Sequence, residues 1–262
     1  MTLMVRICRG IPVALLATSI TLAAQGQEVS NLFQSRLPWS GARQLVVVTT
    51  PDWDSTRGEM RRFTRTGEGW EQVAGEVPVV IGREGAAWGV GMHPMQPGPE
   101  KQEGDGRSPA GVFALGIAFG YAESANTRLS YVPMSASDWC IDVVDSPLYN
   151  QIVDARDVGL DAVAGSTEPM RRDVHVDGDQ RYKLGFVIEH NPANKPGAGS
   201  CIFAHLWSAA DSPTAGCTAM AEPHMRETLA WLELDANPVF ILLPQQEYDR
   251  LRSAWHLPDL SK

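Results

Sequence analysis

Short apolar runs rich in β-branched residues recur along this 262-residue chain, and glycine and proline separate them. Gln44 to Thr50 is a continuous run of this kind, which predicts a buried strand. Further strands are predicted over 76–82, 111–116, 182–190, 200–205 and 239–243, with a hairpin over 60–66 and 70–73. Irregular structure is predicted over 82–111 and over 146–179, the second of which is expected to pass over the functional site. Helices are predicted over 222–234, which has Pro223 near its start and a one-sided apolar stripe, and over 245–255. The pattern predicts a mainly β fold, a β-rich α+β domain with one or two C-terminal helices.

The first residues have the pattern of a secretory signal peptide. Arg6 and Arg9 precede an apolar run from Ile11 to Ala24, and Gly26 completes a small-residue cleavage site. The run is short for a membrane span, and no later segment reaches the roughly 20 apolar residues that a span needs. We therefore predict a signal peptide over 1–26, a loosely packed polar lead-in over 27–43, one domain over 44–262 and export to the periplasm. An uncleaved N-terminal anchor is the alternative.

The charge of the chain argues against nucleic acid as a partner. Removing Arg6 and Arg9 with the signal peptide leaves 20 basic residues against 31 acidic ones, a net charge of −11. Nucleic acid and anionic membrane surfaces should repel such a chain. The sequence does not indicate an oligomeric state.

Three cysteines remain after the signal peptide, Cys140, Cys201 and Cys217. In an oxidising compartment an odd number indicates one disulfide and one free thiol. Cys140 and Cys201 both lie in strand-like contexts, so we predict that they pair and leave Cys217 free. Three reduced thiols, or a disulfide that includes Cys217, are the alternatives, and the second would exclude a catalytic thiol.

Cys217 follows a small turn formed by Thr214, Ala215 and Gly216, and His205 lies twelve residues before it. A thiol becomes a strong nucleophile when a base removes its proton, and His is the usual base. The turn would leave the sulfur uncrowded and aim backbone N–H groups at an oxyanion. His205 is expected at the end of a strand and Cys217 in a loop before a helix, whose N-terminus would lower the pKa of the thiol. A buried structural Cys beside an unrelated core His is the alternative.

Three segments, in this order, resemble the catalytic domain of L,D-transpeptidases, the cysteine enzymes that act on peptidoglycan stem peptides. The segment 103–113 contains Gly-Asp-Gly-Arg-Ser-Pro-Ala-Gly and is similar to the family's Gly-Asp-Gly-x-Thr-Pro-x-Gly. The second segment is His205 with the strand predicted around it, and the third, 212–220, is similar to the Ser/Thr-x-Gly-Cys signature. The likeness runs from about Leu45 to Leu243, which is most of the chain after the signal peptide.

The resemblance implies a packed-sheet L,D-transpeptidase-like fold and a reaction without cofactor or metal. Cys217 would attack a stem-peptide amide with His205 as base, form a thioester and pass the acyl group to an amine, which forms a cross-link. In the family a backbone carbonyl orients the His, and here 207–209 and 214–216 are candidates for it. Water as the acceptor would make the enzyme a carboxypeptidase.

The chain departs from the family near Cys217. Many members have a His before the Gly of the Cys signature, where this chain has Ala215, and an Arg two residues after the Cys, where it has Ala219. The interval between His and Cys is also shorter than usual. These departures keep the nucleophile and base but leave the donor and acceptor open. A carboxypeptidase or amidase of the same fold and a non-catalytic cell-wall-binding module are the alternatives.

Five further residues are candidate substrate contacts: Arg171, Arg172, His190, Trp207 and His93. The two arginines could supply the positive charge that Ala219 lacks and bind a stem-peptide carboxylate, or they could be exposed, solvated charges. His190 could line the same cleft as His205, Trp207 could form its wall and His93 lies in the Gly-rich loop, whereas structural roles are the alternatives. No His-Glu-x-x-His or Cys-x-x-Cys pattern occurs, so no metal site is predicted.

Overall fold

The computed structural model describes residues 37–67 and 69–260. The predicted signal peptide and most of the predicted lead-in therefore lie outside the described residues. The compact body begins at Pro38. Trp39 is buried, its indole N–H donates to the carbonyl of Trp255 at 3.2 Å, and the two rings meet edge to face. Because Ala42 is buried as well, the last part of the lead-in packs into the body instead of lying loosely beside it.

The described residues contain fourteen strands, five short α-helices and two short 3-10 helices. The strands are β1 (Gln44–Thr50), β2 (Arg57–Thr66), β3 (Gly69–Gln72), β4 (Val77–Val80), β5 (Ala86–Trp88), β6 (Ser108–Gly120), β7 (Tyr131–Pro133), β8 (Asp138–Cys140), β9 (Ile152–Asp154), β10 (Glu168–Pro169), β11 (Leu184–Ile188), β12 (Phe203–Leu206), β13 (Thr218–Met220) and β14 (Val239–Pro244). The helices are α1 (Ala155–Val158), α2 (Leu160–Val163), α3 (Arg172–His175), α4 (Glu222–Trp231) and α5 (Gln245–Leu251). The protein is mainly β with a few helices, as its short apolar runs predicted.

Eleven of the strands form one sheet. Its order is β1-β14-β6-β11-β12-β13-β4-β2-β3, and β5 and β7 pair with the two ends of β6. Because β1 pairs with β2 as well as with β14, the sheet closes on itself. All seven residues of β1 are buried, which explains why its sequence is continuously apolar and not alternating. A second sheet has three short strands in the order β10-β8-β9.

A long excursion of the chain separates β6 from β11, and within it only β7 pairs with the main sheet. This excursion, residues 121–183, contains β7, the small sheet, α1, α2 and α3. Part of it packs with the main sheet in one buried cluster, which consists of Phe119, Met134, Cys140, Met170, Tyr182, Cys201, Phe203 and Cys217. The excursion therefore covers the face of the sheet that carries Cys217. The prediction of irregular structure over 146–179 is wrong, because this range contains β9, β10 and the three short helices α1, α2 and α3.

The C-terminal helices begin where the sequence predicted them and end earlier. α4 has Pro223 in its first turn and buries Met225, Thr228 and Leu229 on one side. It ends at Trp231 because Leu232 is extended, with φ −66° and ψ 135°. α5 starts directly after β14. No helix in the described part of the chain is both long enough and apolar enough to cross a membrane.

Candidate active site

The structure places Cys217 and His205 on the same face of two neighbouring strands. His205 is the third residue of β12, and Cys217 stands directly before β13. The two strands are parallel, with Ala204 opposite Thr218 and His205 opposite Ala219. Because side chains alternate along a strand and paired residues share a face, Cys217 and His205 both point away from the face of Ala204. They occupy diagonal positions on this face.

The sequence predicted that Cys217 lies in a loop directly before a helix, and the structure shows that it does not. Residues 218–220 continue as β13 beside β12, and α4 begins only at Glu222. The predicted effect of a helix N-terminus on the thiol is therefore wrong. The cause is the pairing of β13 with β12, a contact with a distant segment that a local sequence pattern does not show.

The thiol of Cys217 is buried and held by backbone groups. Its Sγ accepts a hydrogen bond from the N–H of Phe203 at 3.3 Å and donates one to the carbonyl of Cys201 at 3.5 Å. Burial raises its pKa to about 12, and the nearby carboxylate of Glu168 acts in the same direction. Within the described residues, His205 does not form a hydrogen bond with this Sγ. Cys217 therefore rests as a neutral thiol and not as a thiolate paired with imidazolium.

His205 is held as a neutral base. Its Nδ1 lies 2.8 Å from the carbonyl of Leu206, and because a carbonyl only accepts, Nδ1 carries the proton and Nε2 keeps its lone pair. Burial lowers the pKa of His205 to about 4. The orienting carbonyl is therefore that of Leu206, and the prediction of 207–209 or 214–216 is wrong. A backbone carbonyl orients the His205 ring, as the resemblance implied, but it is a different carbonyl from the ones predicted.

Tyr182 and Glu168 complete the surroundings of the pair, and sequence reasoning missed both. The ring of Tyr182 lies edge-on to His205, with centroids 5.1 Å apart, and it also contacts Phe203 at 5.5 Å. Its hydroxyl donates to Glu168 at 2.6 Å. Burial raises the pKa of both Tyr182 and Glu168. Nothing in the local sequence marks either residue, because the excursion brings them to the site.

Cys140 and Cys201 form the predicted disulfide, and Cys217 is free. Cys140 ends β8, but Cys201 lies outside a strand and has a left-handed φ of 55°. The side chain of Asn150 accepts a hydrogen bond from the Cys201 N–H at 2.9 Å and fixes this conformation. The disulfide thus anchors the carbonyl that contacts the Cys217 thiol.

Ser108 connects the first segment of the family resemblance to the turn before Cys217. Its hydroxyl lies 2.7 Å from the carbonyl of Gly216 and 3.1 Å from that of Cys217, and it accepts the N–H of Gly82 at 2.9 Å. Thr214 donates to the carbonyl of Cys217 at 2.6 Å. Two segments that are more than 100 residues apart in the chain therefore hold the nucleophile backbone together.

The backbone N–H groups of Thr214 and Gly216 in this turn are not free to bind an oxyanion. The N–H of Thr214 donates to the carbonyl of Ile81 at 2.8 Å, and that of Gly216 donates to the Thr214 hydroxyl at 3.1 Å. Ala215 is exposed. The predicted role of Thr214 and Gly216 as oxyanion donors is therefore not met by the resting geometry, since both amides already have acceptors.

We expect Ser108→Ala to lower the free energy of unfolding by about 1–3 kcal/mol, because a buried amide and two carbonyls lose a partner. Urea unfolding followed by circular dichroism measures this change. Ser253→Ala is the matched control because Ser253 is exposed. Equal losses in the two variants would show that the Ser108 hydroxyl does not hold the turn.

Asp105 fixes the loop that leads from the Gly-Asp-Gly motif into β6. Its carboxylate accepts hydrogen bonds from the ammonium of Lys101 at 2.5 Å, from the N–H of Gln102 at 2.8 Å and from the N–H of Arg107 at 2.9 Å. The loop needs no ligand to satisfy this carboxylate. The motif therefore has a structural role that positions Ser108 at the start of the strand.

Of the two arginines, only Arg172 reaches the site. It lies over the ring of Tyr182 at 5.3 Å and pairs with Asp179 at 2.7 Å, and its charge contributes to the lowered pKa of His205. Arg171 pairs with Asp173 at 2.8 Å and lies over Tyr121. Both side chains are tied into ion pairs, so neither is the free cation that the sequence suggested for a carboxylate, nor an exposed solvated charge.

His190 and His93 have structural contacts. Nδ1 of His190 accepts from the N–H of Val90 at 3.2 Å, and its Nε2 lies 2.8 Å from the carbonyl of Ala198. His93 accepts from the N–H of Val112 at 3.0 Å, and its ring packs against Trp88, Phe113 and Trp255. Neither ring contacts Cys217 or His205.

Trp207 follows β12 and borders an open cleft next to His205. The cleft has a volume of about 680 Å³, and Asp179, Arg181 and Glu222 line it together with Trp207. Trp207 is half-buried, and its backbone N–H donates to the carbonyl of Met220 at 2.9 Å. Neither His205 nor Cys217 lines this cleft, so the role of Trp207 as a wall of the site stays a prediction.

The two buried histidines make stability depend on pH. Burial lowers the pKa of both His205 and His190 to about 4 from the ordinary 6.5. Between these values the unfolded chain binds more protons, so the free energy of unfolding falls as the pH decreases from 6.5 to 4, by up to about 1.4 kcal/mol per pH unit for each histidine. Urea titrations from pH 4.5 to 6.5 measure the slope of the unfolding free energy against pH. We expect His190→Gln to remove the contribution of one histidine to this slope. His256→Gln, at an exposed position, is the control, and an unchanged slope in His190→Gln would contradict the assignment.

Among the residues that the structure describes, no group of three or more His, Cys, Asp and Glu side chains is arranged to hold a metal ion. The arrangement instead brings a free thiol, a neutral imidazole and a tyrosine–carboxylate pair to one buried face.

Comparison of the chain with protein-family models, with curated proteins and with solved structures finds no match.

Proposed function

We propose that the protein is an exported cysteine acyltransferase that forms cross-links in peptidoglycan through a Cys217 thioester. The observation that carries this proposal is the convergence of the three segments of the family resemblance. Ser108 from the first segment is hydrogen-bonded to the backbone at Cys217, and Cys217 shares one face of paired strands with His205. If Cys217 were only a structural residue beside an unrelated His, these contacts would not be needed.

The neutral resting state determines the order of proton transfers. As Sγ attacks the stem-peptide carbonyl carbon, its proton moves to Nε2 of His205, and the charge that develops is that of an imidazolium beside a tetrahedral oxyanion. The C–N bond then breaks, and the leaving amine takes the proton from Nε2. An acceptor amine attacks the thioester with loss of a proton to His205, and the proton returns to the departing sulfur.

Activation requires the thiol to exchange its partner. At rest the thiol donates to the Cys201 carbonyl, so it must rotate toward Nε2 of His205 before it can lose its proton. Rotation of the Cys217 side chain from one staggered rotamer to another is a small movement. The donor substrate would drive it by occupying the space beside the sulfur.

One observation favours a second candidate, the non-catalytic cell-wall-binding module. Within residues 37–67 and 69–260 the thiol contacts backbone groups and not the imidazole, and burial holds its pKa at about 12. A protein that binds the wall without chemistry would keep such a site closed permanently. An acyltransferase would open it on binding the donor.

Incubation of the purified protein with defined muropeptides, followed by mass spectrometry of the products, tests the proposal. A product that joins two stem peptides, with loss of the terminal residue of the donor, is the expected result. Shortened, unjoined stem peptides would instead identify the carboxypeptidase. Unchanged muropeptides that remain bound to the protein would identify the binding module.

A further inference from the structure

A small cavity lies beside the disulfide and the backbone that holds the nucleophile. Its volume is about 300 Å³, and it is bordered by Cys201 and Phe203, the residues whose backbone groups contact Sγ of Cys217. Its other lining residues include Ile117, Asn150, Ile152, Val187, Glu189 and Asn194. The cavity therefore combines apolar side chains with two amide side chains, the carboxylate of Glu189 and the ring of His190, whose two nitrogens already have backbone partners. It lies next to the proposed point of attack.

Glu189 is a charged group without a counter-ion. Its side chain is half-buried and lies against Gly116, where any side chain would collide with the carboxylate. Among the described residues no Lys, Arg or His forms an ion pair with it and no group donates a hydrogen bond to it. Burial alone raises its pKa, and no neighbouring positive charge opposes this rise. Half-burying a carboxylate is unfavourable unless an ion partner or a hydrogen-bond donor compensates.

The backbone of β6 and β11 fixes the position of the Glu189 carboxylate. The pairing of β6 with β11 shifts register between Phe186 and Ile188, opposite the part of β6 that contains Gly116. The N–H of Glu189 donates to the carbonyl of Ala114 at 3.0 Å, so the residue is fixed just beyond the end of β11. The absence of a side chain at Gly116 leaves the space that the carboxylate fills.

We propose that this cavity is a subsite for a primary alkylammonium group of the substrate, with Glu189 as its counter-ion. The alkyl stem of the ligand would pack on Ile117, Ile152 and Val187, and its ammonium group would meet the carboxylate. A carboxylate ligand would be repelled by Glu189. The inference rests on the proposed function only in assigning the ligand to a substrate, since the subsite itself needs no chemistry at Cys217.

The test is a binding measurement on the wild-type protein with two probes that differ in one charge. The probes are Nα-acetyl-L-lysine N-methylamide and the same compound acetylated at its ε-nitrogen. NMR titrations of ¹³C-labelled methyl groups report on Ile117, Ile152 and Val187. We expect the charged probe to shift these methyl signals and to bind at least roughly tenfold more tightly than the acetylated one, as a charge-assisted contact predicts.

Glu189→Gln should abolish the difference between the probes, and Glu71→Gln, which removes the same charge at an exposed position of β3, should leave it unchanged. Equal affinity of the two probes for the wild-type protein, or shifts confined to other methyl groups, would overturn the proposal without any variant. The assay involves no turnover. Probe binding by a protein that leaves muropeptides unchanged would therefore refute only the proposed function, and turnover without probe discrimination would refute only the subsite.

Discussion

Replacing Cys217 with Ala is expected to abolish turnover of muropeptides, with a loss on the order of 10⁴-fold to 10⁶-fold. Without Sγ the acyl group has no covalent carrier, and the hydroxyl groups of Ser108 and Thr214 are engaged with backbone carbonyls. His205→Gln should cause a similarly large loss because the thiol then has no acceptor for its proton. The rate of product formation, measured by mass spectrometry, is compared with that of the wild type.

The matched control for His205→Gln is His256→Gln, which changes the same residue type at an exposed position and should leave the rate within a few fold. Circular dichroism and urea unfolding check the fold of the Cys217→Ala variant, which we expect to be kept because the change removes a single buried heavy atom. The same muropeptide profile from wild type and Cys217→Ala would rule out Cys217 as the nucleophile.

Replacing both Cys140 and Cys201 with Ser is expected to lower the free energy of unfolding by about 4 kcal/mol. The disulfide joins residues separated by 61 positions, and closing a loop of this length in the unfolded chain stabilises the folded state by that amount in the chain-entropy account. Urea unfolding without reductant measures the loss.

Addition of a reductant to the double variant is the control for this prediction. Reductant should destabilise the wild-type protein toward the value of the variant and leave the variant itself unchanged. A double variant whose stability lies within about 1 kcal/mol of the wild type would show that the disulfide constrains the unfolded chain far less than loop closure predicts.

Local sequence patterns predicted the elements that depend on local physics. The continuous apolar run of β1 indicated a strand buried on both faces, and the one-sided stripe with Pro223 indicated α4. The odd number of cysteines, with the strand contexts around them, predicted the Cys140–Cys201 pair. In each case the signal lies in a few consecutive residues or in the count of one residue type.

The features that sequence reasoning missed depend on contacts between distant segments. The closure of the sheet rests on the pairing of β1 with β2 and β14, and no local period encodes it. Tyr182 and Glu168 reach His205 because the excursion folds over the sheet. The loop before Cys217 was expected to lead into a helix, but the pairing of β13 with β12 overrides that local expectation.

The most direct test of the central claim is the capture of the acyl-enzyme. The wild-type protein is mixed with a muropeptide donor, quenched with acid after a short interval and weighed as an intact protein, and its proteolytic peptides are then mapped. We predict an added mass equal to the donor acyl group on the peptide that carries Cys217, and no such mass in Cys217→Ala. An acyl group located on another residue, or product formation with no protein-bound acyl group at any quench time, would contradict the account.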